Sequence, residues 1–226
     1  DFEQVRTLIY RHAGISLAPI KQEMVYSRLV RRLRALGYNS FEQYLRHLES
    51  GDEVEREIFV NALTTNLTSF FREAHHFDIL LRHLRELKHR PLRIWCSAAS
   101  TGEEAYTIAM TACEAFGTLA PPVSIIASDI DTHVLAVAEK GVYPLERVAN
   151  LSADRLHRFF LKGRGLQAGK ARVRPELQEL LRFMRINLLD ARFPLLGRFD
   201  VIFCRNVMIY FDKPTQRAIL KKFADL

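Results

Sequence analysis

The chain has 226 residues, 48% of them apolar, and its 33 lysines and arginines outnumber 26 acidic residues to give a net charge of +7. This composition excludes a disordered or fibrous protein, and the length fits one large domain or a medium domain with a small one. No apolar run is long enough to cross a bilayer, no signal-peptide pattern opens the sequence, and the cysteines form no CxxC pair, so we expect a cytoplasmic protein without a metal site. The positive charge favours an acidic partner, which nucleic acid, an anionic membrane surface or an acidic protein would each provide.

Apolar residues at helical spacing predict four short helices before any strand. The first ends at Gly14, and the second is predicted over residues 19–36. Ser40 begins the third, with a glutamine three residues later that completes a capping box, and Asp52 caps the fourth. We therefore predict a small all-helical domain over residues 1–63.

From residue 91 onward, continuously apolar strands alternate with helices. The predicted strands span residues 92–97, 123–128 and 199–204, and the predicted helices between them span 103–116 and 132–139. This alternation is typical of a parallel sheet covered on both faces, so we predict an α/β, Rossmann-like domain over residues 91–226. Residues 64–90 are predicted to form a linker and a lid helix. Because only one helix follows the last predicted strand, we expect C-terminal strands of the sheet to be missing.

Residues 141–183 interrupt this rhythm. They are basic and glycine-bearing, and residues 171–174 alternate between apolar and charged side chains like an edge strand. We predict that this stretch forms a β-subdomain inserted into the sheet domain.

A turn of small residues follows the first predicted strand and leads into a helix that begins with Glu103 and Glu104. Small side chains let a ligand approach the backbone, but the G-x-G-x-x-G pattern and the P-loop lysine of phosphate-binding loops are absent. Two carboxylates would repel pyrophosphate and would suit a cationic ligand, such as the ammonium group of an amino acid. The alternative is an ordinary turn whose glutamates stabilise the helix dipole.

Polar residues also follow the other predicted strands, at the edge where α/β sheets bind ligands. Asp129 is predicted to accept hydrogen bonds from ribose hydroxyls, whereas Asp131 caps the next helix. Asn187 begins a segment that would either read an adenine edge or cap a loop. Residues 64–73 would fold over a ligand as a lid or form a capped helix start. The last predicted strand is followed by Arg205, Asn206 and Tyr210.

These motifs, taken in order, resemble the chemotaxis receptor methyltransferases over nearly the whole chain. The resemblance is carried by residues 66–73, 93–110, 127–131, 187–189 and 199–212. It implies a protein-glutamate O-methyltransferase that uses S-adenosylmethionine to convert receptor glutamates into methyl esters. It also implies a β-subdomain inserted in the sheet domain, which in some members docks a short peptide at the receptor's C-terminus.

The resemblance further implies a set of residues around the cofactor. Glu103 would contact the methionine end and Asp129 the ribose. Tyr210 is the candidate catalytic residue, because a tyrosine beside the methyl group would orient the substrate carboxylate or shape the methyl site. The implied cofactor contacts are Asn66, Thr68, Arg72, Glu103, Asp129, Asn187, Leu188, Arg205 and Asn206.

Basic residues cluster on one side of the second predicted helix. They are Lys21, Arg28, Arg31 and Arg32. Chemoreceptor methylation regions are acidic helices, so we predict that this face binds the cytoplasmic helical region of the receptor. A solvated basic face is the alternative.

Two other functions fit parts of the pattern. A nucleic-acid methyltransferase would need a pocket with stacking aromatics, and no N-P-P-Y segment follows the last predicted strand. A non-catalytic scaffold that binds S-adenosylmethionine would keep the pocket and lose turnover. We expect neither nucleic-acid binding nor membrane insertion.

Overall fold

The structure, a computed structural model, describes residues 1–87 and 89–226. The described residues begin with four helices: α1 (Phe2–Ala13), α2 (Gln22–Ala35), α3 (Phe41–Glu49) and α4 (Glu53–Leu63). Their apolar faces enclose a core of their own, in which Val5, Ile9 and Leu29 are fully buried. The predicted all-helical beginning of the chain is therefore confirmed.

The ends of these helices are fixed by residues that the sequence identifies. The Ser40 hydroxyl accepts the backbone N–H of Gln43 at 3.3 Å, and the Asp52 carboxylate accepts that of Glu55 at 3.0 Å. Each bond satisfies an N–H group in the first turn of a helix, which has no partner inside the helix. Gly14 ends α1 in the left-handed conformation, at a φ of 69°.

Strands and helices alternate through the rest of the chain. In order they are α5 (His75–Leu87), β1 (Leu92–Cys96), α6 (Glu103–Phe116), β2 (Val123–Asp129), α7 (Thr132–Lys140), β3 (Val142–Pro144), α8 (Leu145–Val148), α9 (Ala153–Phe159), β4 (Phe160–Lys162), β5 (Lys170–Val173), α10 (Pro175–Gln178), β6 (Leu181–Arg185), β7 (Val201–Phe203) and α11 (Lys213–Ala224). The described residues form a parallel sheet in the order β6-β2-β1-β7. The predicted α/β class is confirmed.

Both faces of this sheet are buried. Ile94 and Cys96 of β1 belong to the core that contains α5 and α6, whereas Trp95 belongs to a second core with Phe223 of α11. Successive residues of a strand point to opposite faces, so the apolar run of β1 serves two cores at once.

The last strand of the sheet is shorter than the predicted span of 199–204. The Asp200 carboxylate accepts the Arg93 backbone N–H at 2.8 Å, in place of a strand carbonyl. The Phe199 N–H donates to the Leu226 carbonyl at 2.7 Å instead of joining the sheet. The Asp200 side chain and the Leu226 carbonyl thus take the place of part of the ladder that the apolar pattern predicted, although the Asp200 N–H still donates to the Arg93 carbonyl at 2.8 Å.

The insertion forms a small antiparallel sheet in the order β3-β5-β4. The prediction of an edge strand at residues 171–174 is wrong, because β5 lies in the middle and is paired on both sides. The strand β6 pairs with β2 in the main sheet from Leu181 onward, so the insertion ends at residue 180 and not at 183.

Residues 64–90 divide into two parts. The helix α5 buries Phe77, Leu80 and Leu84 in the core of the sheet domain, so it is a packed helix and not a lid. The preceding segment, residues 64–74, passes between the helical domain and the sheet. None of the helices among the described residues is long and apolar enough to span a membrane.

Candidate cofactor site

A cavity of about 380 Å³ opens between the two domains, at the carboxyl ends of the sheet strands. Its size falls within the range of small-molecule sites, about 300–1,000 Å³. Three parts of the chain contribute to its wall: the loops after the strands, the junction segment 64–74, and the helical domain. The helical domain therefore covers the carboxyl edge of the sheet, which is where the topology predicts a ligand site.

Asp129 lies at the end of β2 and borders the cavity with 8% of its surface exposed. Its Oδ2 accepts the Ser100 N–H at 2.8 Å, and its Oδ1 accepts the Asp131 N–H at 3.1 Å. Burial raises the pKa of Asp129, and these backbone N–H groups oppose the rise. The carboxylate is held in one orientation and keeps lone pairs free for ligand hydroxyls.

Glu104 and Arg205 form a buried ion pair at the cavity wall. Arg205 Nη1 donates to Glu104 Oε2 at 2.7 Å, and both side chains are 11% exposed. Arg205 Nη2 donates to the Arg72 carbonyl at 2.7 Å, which ties the sheet loop to the junction segment. Burial raises the pKa of Glu104, whereas the neighbouring Arg205 lowers it.

The junction segment is bonded to the loops of the sheet. The Asn66 side chain donates to the Asp131 carboxylate at 2.8 Å, and the Ser100 hydroxyl donates to the Asn66 carbonyl at 3.0 Å. Asp131 also caps α7, as predicted, through the backbone N–H groups of the following turn. Thr68 and Arg72 of the same segment border the cavity.

Backbone strain is concentrated around this cavity. The non-glycine residues with positive φ in the described chain are Phe71, Glu73, Ser100 and Asn206, at 52°, 55°, 50° and 55°. Ser100 and Asn206 border the cavity, and the other two flank Arg72. Such conformations persist only where the surroundings enforce them, and they cluster at functional sites.

The helical domain supplies a cavity wall that the sequence did not indicate. Most of its contribution runs from the end of α1 into α2, and the last residue of α4 adds to it: Ala13, Ile15, Ser16, Leu17, Ala18, Lys21, Met24 and Leu63. The Asn187 side chain donates to the His12 carbonyl at 2.7 Å, and the Ser16 N–H donates to the Tyr210 carbonyl at 2.8 Å. A short apolar loop carries no local signal for ligand binding, so only domain packing reveals this wall.

Glu103 does not border the cavity, although Glu104 does. The Glu103 side chain is fully buried and pairs with Arg147 of the insertion. Adjacent helical residues point about 100° apart, so only one of two neighbouring glutamates can face the ligand. The other residues implied as cofactor contacts, and Tyr210, all border the cavity.

Two of the four basic residues predicted to bind the receptor are engaged inside the helical domain. Arg28 donates to two backbone carbonyls where α4 ends. Arg32 donates to the carboxylate of Glu55, which is 3% exposed. Arg28 and Arg32 are therefore not available for the receptor-binding face predicted from the sequence, because their guanidinium groups hold α2 against α4. Lys21 and Arg31 are exposed.

The wall of the cavity fits S-adenosylmethionine. Ile130, Ile186 and Leu188 offer an apolar surface for an adenine ring. Asp129 offers acceptors for ribose hydroxyls, and Glu104 places a carboxylate near which a cationic group would bind. Each part of the cofactor thus meets a matching group among the residues present.

Comparison with known families gives the same assignment. Residues 66–226 match the family described as CheR methyltransferase, SAM binding domain, and residues 1–64 match CheR methyltransferase, all-alpha domain. The chain belongs to the CheR methyltransferase family. The predicted family and the predicted use of S-adenosylmethionine are both confirmed.

Several relatives align with the whole of this CheR-family chain. It is 57% identical to chemotaxis protein methyltransferase 2 of Pseudomonas aeruginosa, covering 100% of this chain and 81% of the relative. It is 51% identical to the chemotaxis protein methyltransferase of Salmonella typhimurium, with 100% and 78% covered. A solved structure of magnesium protoporphyrin IX methyltransferase from Synechocystis is similar at a TM-score of 0.37 and 15% identity, covering 77% of this chain and 59% of that one, which adds nothing to the assignment.

Proposed function

We propose that this CheR-family protein transfers the methyl group of S-adenosylmethionine to glutamate side chains in the cytoplasmic helical region of chemoreceptors. The chemistry of the cavity wall supports this assignment. Among the described residues, the wall contains no histidine or cysteine, and its two carboxylates are already bound to backbone N–H groups or to Arg205. With Asp129 assigned to the ribose and Glu104 paired with Arg205, no carboxylate, histidine or cysteine of the described wall is left to act as a general base. This suits a glutamate substrate, because a glutamate is ionised at neutral pH and needs no base.

The residues of the chain then position and desolvate the substrate. S-adenosylmethionine, when bound, supplies an electrophilic methyl group. Tyr210 borders the cavity on a single helical turn whose backbone is bonded to Val207 on one side and to Ser16 on the other. A tyrosine held in this way would donate its hydroxyl to the incoming carboxylate, and the apolar wall would exclude water from it.

The Tyr210→Phe variant is expected to lower kcat by about tenfold or more, because it removes one hydrogen bond to a charged group. Its affinity for S-adenosylhomocysteine should stay unchanged in calorimetry. Tyr10→Phe is the matched control, because Tyr10 donates to Asp212 outside the cavity. Equal turnover of both variants and the wild type would remove Tyr210 from the catalytic residues.

Charge reversal at Arg31 is expected to raise the apparent KM for the receptor without changing the affinity for the cofactor. The Arg31 side chain is exposed and does not border the cavity, and complementary charges between two partners speed their association. The control is Arg46→Glu, which changes an exposed charge on another helix of the same domain. Michaelis constants measured with receptor fragments decide the matter, and an unchanged KM places the receptor contact elsewhere.

The direct test uses labelled S-adenosylmethionine and receptor fragments, followed by mild alkali. A glutamate methyl ester releases labelled methanol under these conditions. Asp129→Ala, described in the Discussion, serves as the inactive control. Label that stays on the protein in alkali would contradict ester formation and indicate methylation of nitrogen.

A further inference from the structure

The turn formed by residues 100–104 lies between the cavity and the inserted subdomain. Facing the cavity, the Ser100 N–H donates to the Asp129 carboxylate at 2.8 Å. Glu104 faces the cavity as well and pairs with Arg205. The conformation of this turn therefore decides where two groups of the cavity wall point.

The inserted subdomain holds the same turn from behind. The Tyr143 hydroxyl, on β3, donates to the Thr101 carbonyl at 2.7 Å. Arg147, on α8, pairs with the Glu103 carboxylate, which also accepts the Thr101 hydroxyl at 2.6 Å. The Glu103 side chain is 0% exposed, and Arg147, whose own side chain is 40% exposed, is its charged partner.

This contact is close-packed. Gly102 has a φ of 95°, and a Cβ there would lie 2.9 Å from the Tyr143 hydroxyl and 2.8 Å from Ala138 Cβ. The Tyr143 ring packs edge-on against Phe70 and Tyr106, at centroid distances of 5.1 and 6.3 Å. The hydroxyl is therefore held at the turn by packing that does not depend on the cavity.

We propose that the inserted subdomain holds the cofactor turn in its binding conformation, and that Tyr143 and Arg147 are positioning residues that set the affinity for S-adenosylmethionine. Neither residue borders the cavity, so both act through Thr101 and Glu103. When a turn samples other conformations, the apparent affinity falls in proportion to the fraction that is competent to bind. This inference rests on the proposal that the cavity is the cofactor site.

The Tyr143→Phe variant tests the hydroxyl without changing the packing of the ring. Tyr106→Phe is the matched control, because the Tyr106 hydroxyl is also buried and donates to a backbone carbonyl, that of Ala138, at 2.8 Å. We expect calorimetry to show binding of S-adenosylhomocysteine about tenfold weaker in Tyr143→Phe and unchanged in Tyr106→Phe, with similar losses in Tm. Equal affinities in the two variants would overturn the inference.

The ion pair gives a second, independent comparison. Arg147→Met is expected to raise the KM for S-adenosylmethionine and to leave the KM for the receptor unchanged, because the defect lies in the cofactor turn. Arg158→Met is the control, since Arg158 also reaches from the insertion to α6, where it donates to the Cys113 carbonyl at the far end of that helix. If both variants change the two constants alike, the role of Arg147 is only structural.

The Asp129→Ala variant distinguishes a failure of the proposed function from a failure of the role proposed for the insertion. If it binds cofactor normally, the cavity is not the cofactor site and the proposed function loses its support. If Asp129→Ala fails to bind while Tyr143→Phe matches Tyr106→Phe, only the role of the insertion is overturned. If Arg147→Met fails to fold, the comparison of Tyr143→Phe with Tyr106→Phe still tests the role of the insertion.

Discussion

Replacing Asp129 with alanine is expected to weaken the binding of S-adenosylmethionine by at least about 100-fold while leaving the protein folded. The carboxylate is buried at the cavity wall and oriented by the N–H groups of Ser100 and Asp131. Hydrogen bonds from two ribose hydroxyls to a charged acceptor account for a loss of this size, because each contributes about 1.5–3 kcal/mol.

The free energy of unfolding of Asp129→Ala should differ little from that of the wild type at neutral pH, because the pKa of Asp129 is raised in the folded protein. Burial raises the pKa of Asp129, so the folded state favours the protonated carboxyl. The stability linked to that form is present at low pH and is lost as the pH rises through the raised pKa. At neutral pH, alanine therefore removes the penalty of a buried charge, which offsets the lost bonds to Ser100 and Asp131.

Calorimetry with S-adenosylhomocysteine measures the affinity for the cofactor product, and thermal melts measure the stability. Asp52→Ala is the matched control, because it also removes an aspartate that accepts a backbone N–H, at the start of α4 and away from the cavity. An affinity in Asp129→Ala equal to that of Asp52→Ala would contradict the role of Asp129 in the site.

Replacing Arg205 with methionine is expected to lower the free energy of unfolding by about 3 kcal/mol and to weaken cofactor binding. Its removal leaves Glu104 buried without a cation, although both side chains are only 11% exposed in the pair. It also releases the Arg72 carbonyl, so the junction segment loses a bond to the sheet. The defect should therefore appear in stability and in affinity together.

The double variant Arg205→Met, Glu104→Gln separates these effects. It removes both charges of the pair, so chemical denaturation should show recovery of part of the lost stability. Cofactor affinity should not recover, because the carboxylate at the cavity wall is gone and the junction segment remains released. If the double variant is no more stable than Arg205→Met, the buried charge of Glu104 is not the source of the loss.

Local sequence patterns predicted much of this architecture for physical reasons that act over a few residues. Ser40 and Asp52 cap helices because their side chains accept N–H groups three residues away. The run of apolar residues in β1 requires two cores, and two cores require a sheet covered on both faces. Asp129 could be placed at a ligand site because the carboxyl ends of parallel strands meet at one edge.

Other features depended on contacts between distant parts of the chain. The resemblance implied Glu103 as the cofactor contact, yet Glu104 borders the cavity and Glu103 pairs with Arg147 of the insertion, whose position no local pattern shows. The basic face of α2 also looked free in the sequence, yet Arg32 is bound to Glu55 on another helix.

By itself, the sequence determined the fold class and the order of the motifs, because both follow from side-chain type and spacing, and the motifs taken together carried the resemblance to the family. Only the tertiary structure decided which groups border the cavity and which contact its loops from the inserted subdomain. The Asn187 amide reaches the His12 carbonyl across 175 positions of the chain, and Arg205 reaches Glu104 across 101. The first bond forms only when the helical domain packs on the edge of the sheet, and the second only when the sheet brings the loop after β7 beside the start of α6, so no local pattern carries them.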